Sequence, residues 1–84
     1  MQVAVDISLY PLNADYVPPI KDFIERMALH DGLALEYNSL STQIRGDFEV
    51  VFAALKAEVA ATFRGADRAV FVLKMVGGSE PRGT

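Results

Sequence analysis

Residues 40–52, Leu-Ser-Thr-Gln-Ile-Arg-Gly-Asp-Phe-Glu-Val-Val-Phe, carry the reading that decides the fold. Leu40 and Ile44 are apolar, and Ser41, Gln43 and Arg45 alternate with them. That period of two predicts a strand with one buried face and one polar face. Gly46 relaxes the backbone for a sharp turn. Asp47 can cap a helix there, and Glu49 falls in its first turn, where negative charge is favoured. Strand, turn and helix thus follow one another with no room for a longer loop. The polar face carries hydroxyls and an amide beside a guanidinium, which suits either a solvated sheet surface or part of a ligand site.

Upstream, Leu33, Leu35 and Tyr37 alternate with Ala34, Glu36 and Asn38, a second strand. Asn38 and Ser39 form a short connection, so these two strands read as a hairpin. A helix is predicted before them, from Val17 to about His30. Pro18 and Pro19 fix its first turn, and Gly32 is a suitable stop. Ile20, Phe23, Ile24 and Met27 make its apolar stripe, leaving Lys21, Asp22, Glu25 and Arg26 to water. The chain opens with a strand in which Val3, Val5, Ile7 and Leu9 alternate with Ala4, Asp6, Ser8 and Tyr10. Pro11 ends it.

Downstream, a second helix is predicted from Asp47 to Phe63, with Phe48, Val51, Phe52, Leu55 and Val59 buried. The aromatic series Phe48, Phe52 and Phe63 reads as core. Arg68 to Val76 is a fourth strand, apolar on both faces until Lys74. Such a strand is covered on both sides. The helices cover one side, and a second subunit is the simplest cover for the other. Residues 1–76 form one domain, and the polar segment 77–84 is expected to be a disordered tail.

The order βαββαβ is the split βαβ, ferredoxin-like α+β arrangement: a four-stranded antiparallel sheet with both helices on one face. Its first and third strands are central neighbours. The face away from the helices then collects Asp6, Ser8 and Tyr10, Ser41, Gln43 and Arg45, and Glu36 and Asn38. Polar sets far apart in sequence converge there, as a small-molecule site requires.

Composition narrows the classes. Eighty-four residues support one small core, and 51% hydrophobic residues favour self-association. A net charge of -3 argues against a nucleic-acid binder. There is no cysteine, hence no disulfide, thiolate metal site or cysteine nucleophile. No apolar run approaches the roughly 20 residues of a membrane span, and no signal-peptide pattern precedes Gln2. A soluble cytoplasmic protein is the expectation. His30, the single histidine, sits near a helix end, where it can meet the last carbonyls. No metal-ligand spacing, phosphate loop or nucleophile–base pair is present, so a binding protein is expected in preference to an enzyme.

The segment Ile7–Val17, the Ser41–Gly46 run with its acidic helix start, and the final Asp67–Met75 strand resemble the YkoF-like thiamine and hydroxymethylpyrimidine-binding family. The resemblance spans roughly residues 3–76. It implies ferredoxin-like domains that work in tandem or, as single domains, in homodimers or homotetramers. It implies thiamine or its pyrimidine precursor as the ligand, with no further cofactor, in uptake or salvage. Where single-domain members often carry Gly-Pro before the Ser-Thr pair, this chain carries Asn38 and Ser39. The candidate ligand-binding residues are Asp6, Ser8, Tyr10, Asn38, Ser41, Thr42 and Gln43. Hydroxyls and amides match the ring nitrogens and exocyclic amine of a 4-aminopyrimidine. Tyr10 or a carboxylate such as Asp6 or Glu36 would stabilise the thiazolium cation of thiamine. The alternatives are an amino-acid-sensing or other effector-binding module and a small oligomeric enzyme. The structural alternative for the same residues makes Tyr10 an interface aromatic and pairs Asp6 with Arg45 or Lys74.

Overall fold

In a computed structural model describing residues 1–65 and 68–78, the elements are β1 (Gln2–Pro11), α1 (Val17–Ala28), β2 (Ala34–Tyr37), β3 (Thr42–Asp47), α2 (Phe48–Gly65) and β4 (Ala69–Val76). The sheet is antiparallel in the order β2-β3-β1-β4. This is the expected ferredoxin-like βαββαβ arrangement. Most of the expected tail, residues 79–84, lies outside the described residues.

The alternation in β1 works as read. Val3, Val5, Ile7 and Leu9 are buried, and with Ile44 of β3 they meet Phe23 and Met27 of α1 and Val51, Ala54 and Leu55 of α2. Each fully buried side chain of Val, Leu or Phe size contributes about 1.5–3 kcal/mol. Removing Phe23 or Ile44 would leave a cavity at the centre of this layer.

Several expectations need correction. Leu40 does not share the core face with Ile44; it is 83% exposed at the hairpin tip. The Asn38 side-chain oxygen accepts the N–H groups of Leu40 and Ser41, and the Asn38 N–H donates to the Ser41 carbonyl. These bonds fold residues 38–41 into a turn and delay β3 until Thr42. Tyr37 lies on the edge strand and is exposed, and Asn38 is in the turn, not on the open face of β2. Gly46 is not a turn residue. It is buried within β3 and has no positive φ. Glycine is required there by closeness: a Cβ would lie 2.9 Å from the Gly32 carbonyl oxygen and 2.9 Å from Leu33 Cδ2. Positive φ occurs instead at Gly32, in the α1–β2 connection, at +83°.

α1 ends at Ala28, two residues before His30. Phe52 and Phe63 are not core: they are 47% and 51% exposed. α2 is apolar around most of its circumference, so periodicity alone could not choose its buried side; Val51, Ala54, Leu55 and Thr62 are buried. Phe52 rests edge-on against Phe48, and Phe63 against Phe71. Leu73 of β4, paired with the buried Ile7, is 45% exposed.

Candidate functional site

The geometry that makes a site is a mismatch of strand lengths. β1 pairs with β3 from Gln2↔Asp47 to Ile7↔Thr42, and with β4 as far as Pro11↔Ala69. Ser8 to Pro11 therefore run on without a β3 partner, while the chain leading into β3 turns away as the hairpin. A cleft of about 310 Å³ opens between this free strand edge, the hairpin and the start of α1. A volume of that size suits a small heterocycle.

Five of the candidate residues line the cleft: Ser8, Tyr10, Asn38, Ser41 and Thr42. Asp6 and Gln43 do not. They lie further along the open sheet face, reached through Ser41. The Ser41 hydroxyl donates to Asp6 Oδ1 at 2.5 Å, and the Gln43 amide donates to the same oxygen at 3.1 Å and to Ser41 Oγ at 2.7 Å. Ser8 Oγ donates to the Leu40 carbonyl at 3.3 Å, tying β1 to the hairpin. Thr42 differs from the others in facing the helix layer, where it is buried. Tyr10 is half-exposed at the mouth.

The Ser41 hydroxyl, then the Gln43 amide and the Lys74 charge, hold the Asp6 carboxyl below its ordinary value. Asp6 therefore remains ionised at neutral pH. Its second oxygen lies 4.0 Å from Lys74 Nζ and makes no closer ion pair among the described residues. The expected alternative of an Asp6–Lys74 pair is thus present but loose; Arg45 pairs with Ala4 in register, two residues away along β1.

Sequence reasoning missed the inner wall. Tyr16, Ile20, Phe23 and Ile24 of the loop and α1 complete the cleft. The stripe on α1 was visible in the sequence, but its apolar residues read as core alone. The length mismatch between β1 and β3, which leaves part of that stripe uncovered, had no signal of its own.

A second polar cluster lies between the helices. Arg26, expected in water, reaches Glu58 Oε1 at 2.8 Å, Thr62 Oγ1 at 2.8 Å and Asp22 Oδ2 at 3.0 Å. His30, expected at the α1 carbonyls, instead meets the other Glu58 oxygen at 2.7 Å through Nε2. The His30 contact and then Arg26 hold the Glu58 carboxyl below its usual value. Both carboxylate oxygens and the guanidinium are committed to the protein's own groups, so this cluster joins α1 to α2. Among the described residues, no group of three or more acidic or histidine side chains is placed to hold a metal ion. No helix among them is long and apolar enough to cross a membrane.

The comparisons agree with this architecture. The hypothetical protein MJ1052 from Methanocaldococcus jannascii is 27% identical, with a TM-score of 0.83 over 99% of this chain and 87% of its own. TM0486 from Thermotoga maritima, a candidate thiamine biosynthesis/salvage protein, is 24% identical, with a TM-score of 0.82 over 93% of this chain and 85% of its own. Protein SP2199 from Streptococcus pneumoniae is 18% identical with a TM-score of 0.85, covering 94% of this chain and 89% of its own. No curated protein matches the sequence. A family model described as YKOF-related matches residues 2–76, almost the whole described fold, and the chain belongs to that YKOF-related family.

Proposed function

We propose that this protein binds thiamine or its hydroxymethylpyrimidine precursor in the cleft at the end of the β1–β3 pair, in support of thiamine uptake or salvage. The observation that carries the reading is the run of β1 past β3. It leaves an unpaired strand edge facing hydroxyl and amide side chains, with an apolar wall of Ile20, Phe23 and Ile24 opposite. A flat aminopyrimidine can stack against such a wall while its ring nitrogens and amine meet the polar side. Ser41 and Thr42 face the pyrimidine, and Tyr10 or Asp6 lies toward a thiazolium. Membership of the YKOF-related family supports this reading, as does the likeness to the Thermotoga maritima protein.

The protein acts by binding, in the cytoplasm, without catalysis and without a further cofactor. Nucleic acid and membrane are not partners in this reading. The working unit is a homodimer or homotetramer in which a second copy covers the open sheet face. Val70, Val72 and Val76 are 44%, 55% and 49% exposed there, beside the opposite charges of Asp6 and Lys74. An amino-acid effector would need paired charged groups for its ammonium and carboxylate, and among the described residues the cleft lining carries no carboxylate, lysine, arginine or histidine.

Calorimetric titration with thiamine, hydroxymethylpyrimidine and a set of amino acids tests the proposal. Saturable heat with either of the first two supports it. Heat with amino acids alone, or with none of these at millimolar concentration, contradicts it.

A further inference from the structure

We propose that the cleft is selective for the unphosphorylated form of its heterocyclic ligand and rejects the corresponding phosphate esters. This rests on the reading of the cleft given above. The first support is its lining. Among the described residues, every polar side chain in it is a hydroxyl or an amide, with no lysine, arginine or histidine. A phosphate monoester carries a charge of roughly −1.5 to −2 near neutral pH. Taking that charge out of water without a paired cation is costly, whereas a hydroxymethyl group needs only a hydrogen bond.

The second support is where the cations lie. Arg26 is held between the helices by Asp22, Glu58 and Thr62. Lys21 is not among the cleft-lining residues; it lies with Glu25 and Tyr37 in an adjoining groove that shares Ile20, Ile24, Asn38 and Ser39 with the cleft. Arg45 and Lys74 flank the other half of the open sheet face. Arg68 is tied by its carbonyl to the Leu12 N–H, just beyond Pro11, yet it is not among the residues that line the cleft. Lys56 and Arg64 belong to α2, and Arg82 lies outside the described residues.

The third support is the start of α1, which borders the cleft through Tyr16 and Ile20. Free N–H groups in a first helical turn commonly hold a phosphate. Here Pro18 and Pro19 occupy that turn, and proline has no N–H to give. On the sheet side a negative charge is bonded directly to the lining: the Asp6 carboxylate accepts the hydroxyl of Ser41, which itself lines the cleft. Lining, cation placement and helix start all disfavour an anion, and none disfavours a neutral or cationic ring.

Titration calorimetry at low ionic strength tests the inference with two pairs: hydroxymethylpyrimidine against its phosphate monoester, and thiamine against thiamine monophosphate. The unphosphorylated member should bind, with the ester at least about tenfold weaker. Ser39→Arg and Leu40→Lys each place a cation at the hairpin lip and should narrow that gap by raising the ester's affinity. This separates charge from bulk. An ester that binds as tightly as its alcohol overturns the selectivity while leaving the heterocycle site standing. A gap unchanged in both variants also overturns the charge-based selectivity. Absence of heat from all four compounds overturns the heterocycle reading, and the selectivity with it.

Discussion

The two ends of the β1–β3 pair are built in opposite ways. At the Gln2 end the helix side of the pair is tightly packed. β3 passes straight into α2, with the Gly46 backbone against the Gly32 carbonyl and the Leu33 side chain. Asp47 Oδ2 accepts the Glu49 N–H at the helix start, and its other oxygen meets the Met1 ammonium at 3.2 Å. The Phe48 N–H donates to the Met1 carbonyl at 2.8 Å. At the Tyr10 end the same strand outruns its partner, and the polar groups converge on a cleft. Substitution at the first end should therefore be felt in stability, and at the second in binding. A tight end that tolerated a larger side chain, or an open end whose polar groups were needed for folding, would break the distinction.

The largest expected effect is at the tight end. Gly46→Val should destabilise the fold by about 2–3 kcal/mol, because the added carbons meet backbone and the partly buried Leu33 side chain. Chemical denaturation checks this, and an unchanged midpoint would mean that α2 and the Gly32 loop can move apart. The affinity of the molecules that remain folded should be unaltered. Next comes the open end. Ligand at 100 times its dissociation constant should stabilise the fold by roughly 2.7 kcal/mol, raising the melting temperature by on the order of 10 °C. Ser41→Ala combined with Thr42→Val should remove that shift and leave the unliganded melting temperature within a few degrees. A shift that survived the double substitution would move the site along the sheet, toward Asp6, Glu36 and Arg45.

A smaller effect is expected on the face that joins the two ends. Light scattering at micromolar concentration should give at least a dimer for the unaltered chain and a shift toward monomer for Val72→Glu, which places a charge among exposed valines. A clean 9.2 kDa monomer of the unaltered chain would remove the second copy from the account. The smallest effect is in pH. Asp6 at the open end and Asp47 at the tight end both titrate below their ordinary value of 3.8. Each contributes stability above that pH, and the contribution is lost as pH falls through its lower folded value. Asp6→Asn and Asp47→Asn should each make the acid side of the melting profile shallower. An identical profile in both variants would show that neither set of hydrogen bonds persists in solution.

Most of the fold was legible because β1, α1 and β4 carry strong periodicity and Pro18, Pro19 and Asp47 mark helix starts. Gly46 was identified as needing to be glycine for the wrong reason. A sequence does not show that another segment's carbonyl lies against a residue. α2 was legible as a helix but not as an oriented one, since alanine and phenylalanine surround it. The site was partly legible. Ser8, Tyr10, Asn38, Ser41 and Thr42 were found through strand alternation, the hairpin and a family resemblance. Thr42 sits on the opposite face from Ser41, as alternation requires, and still reaches the cleft because the cleft wraps around the end of the sheet. The α1 wall was not legible, because apolar residues that line a cleft carry the same pattern as those that fill a core.

Backbone-amide NMR during titration with hydroxymethylpyrimidine tests the central claim most directly. The account predicts saturable shifts at Ser8 to Tyr10, Tyr16 and Asn38 to Gln43, with Ala4, Arg45, Gly46 and Val76 at the other end unmoved. Shifts concentrated at Ala4, Arg45 and Val76, or none at saturating ligand, would contradict it.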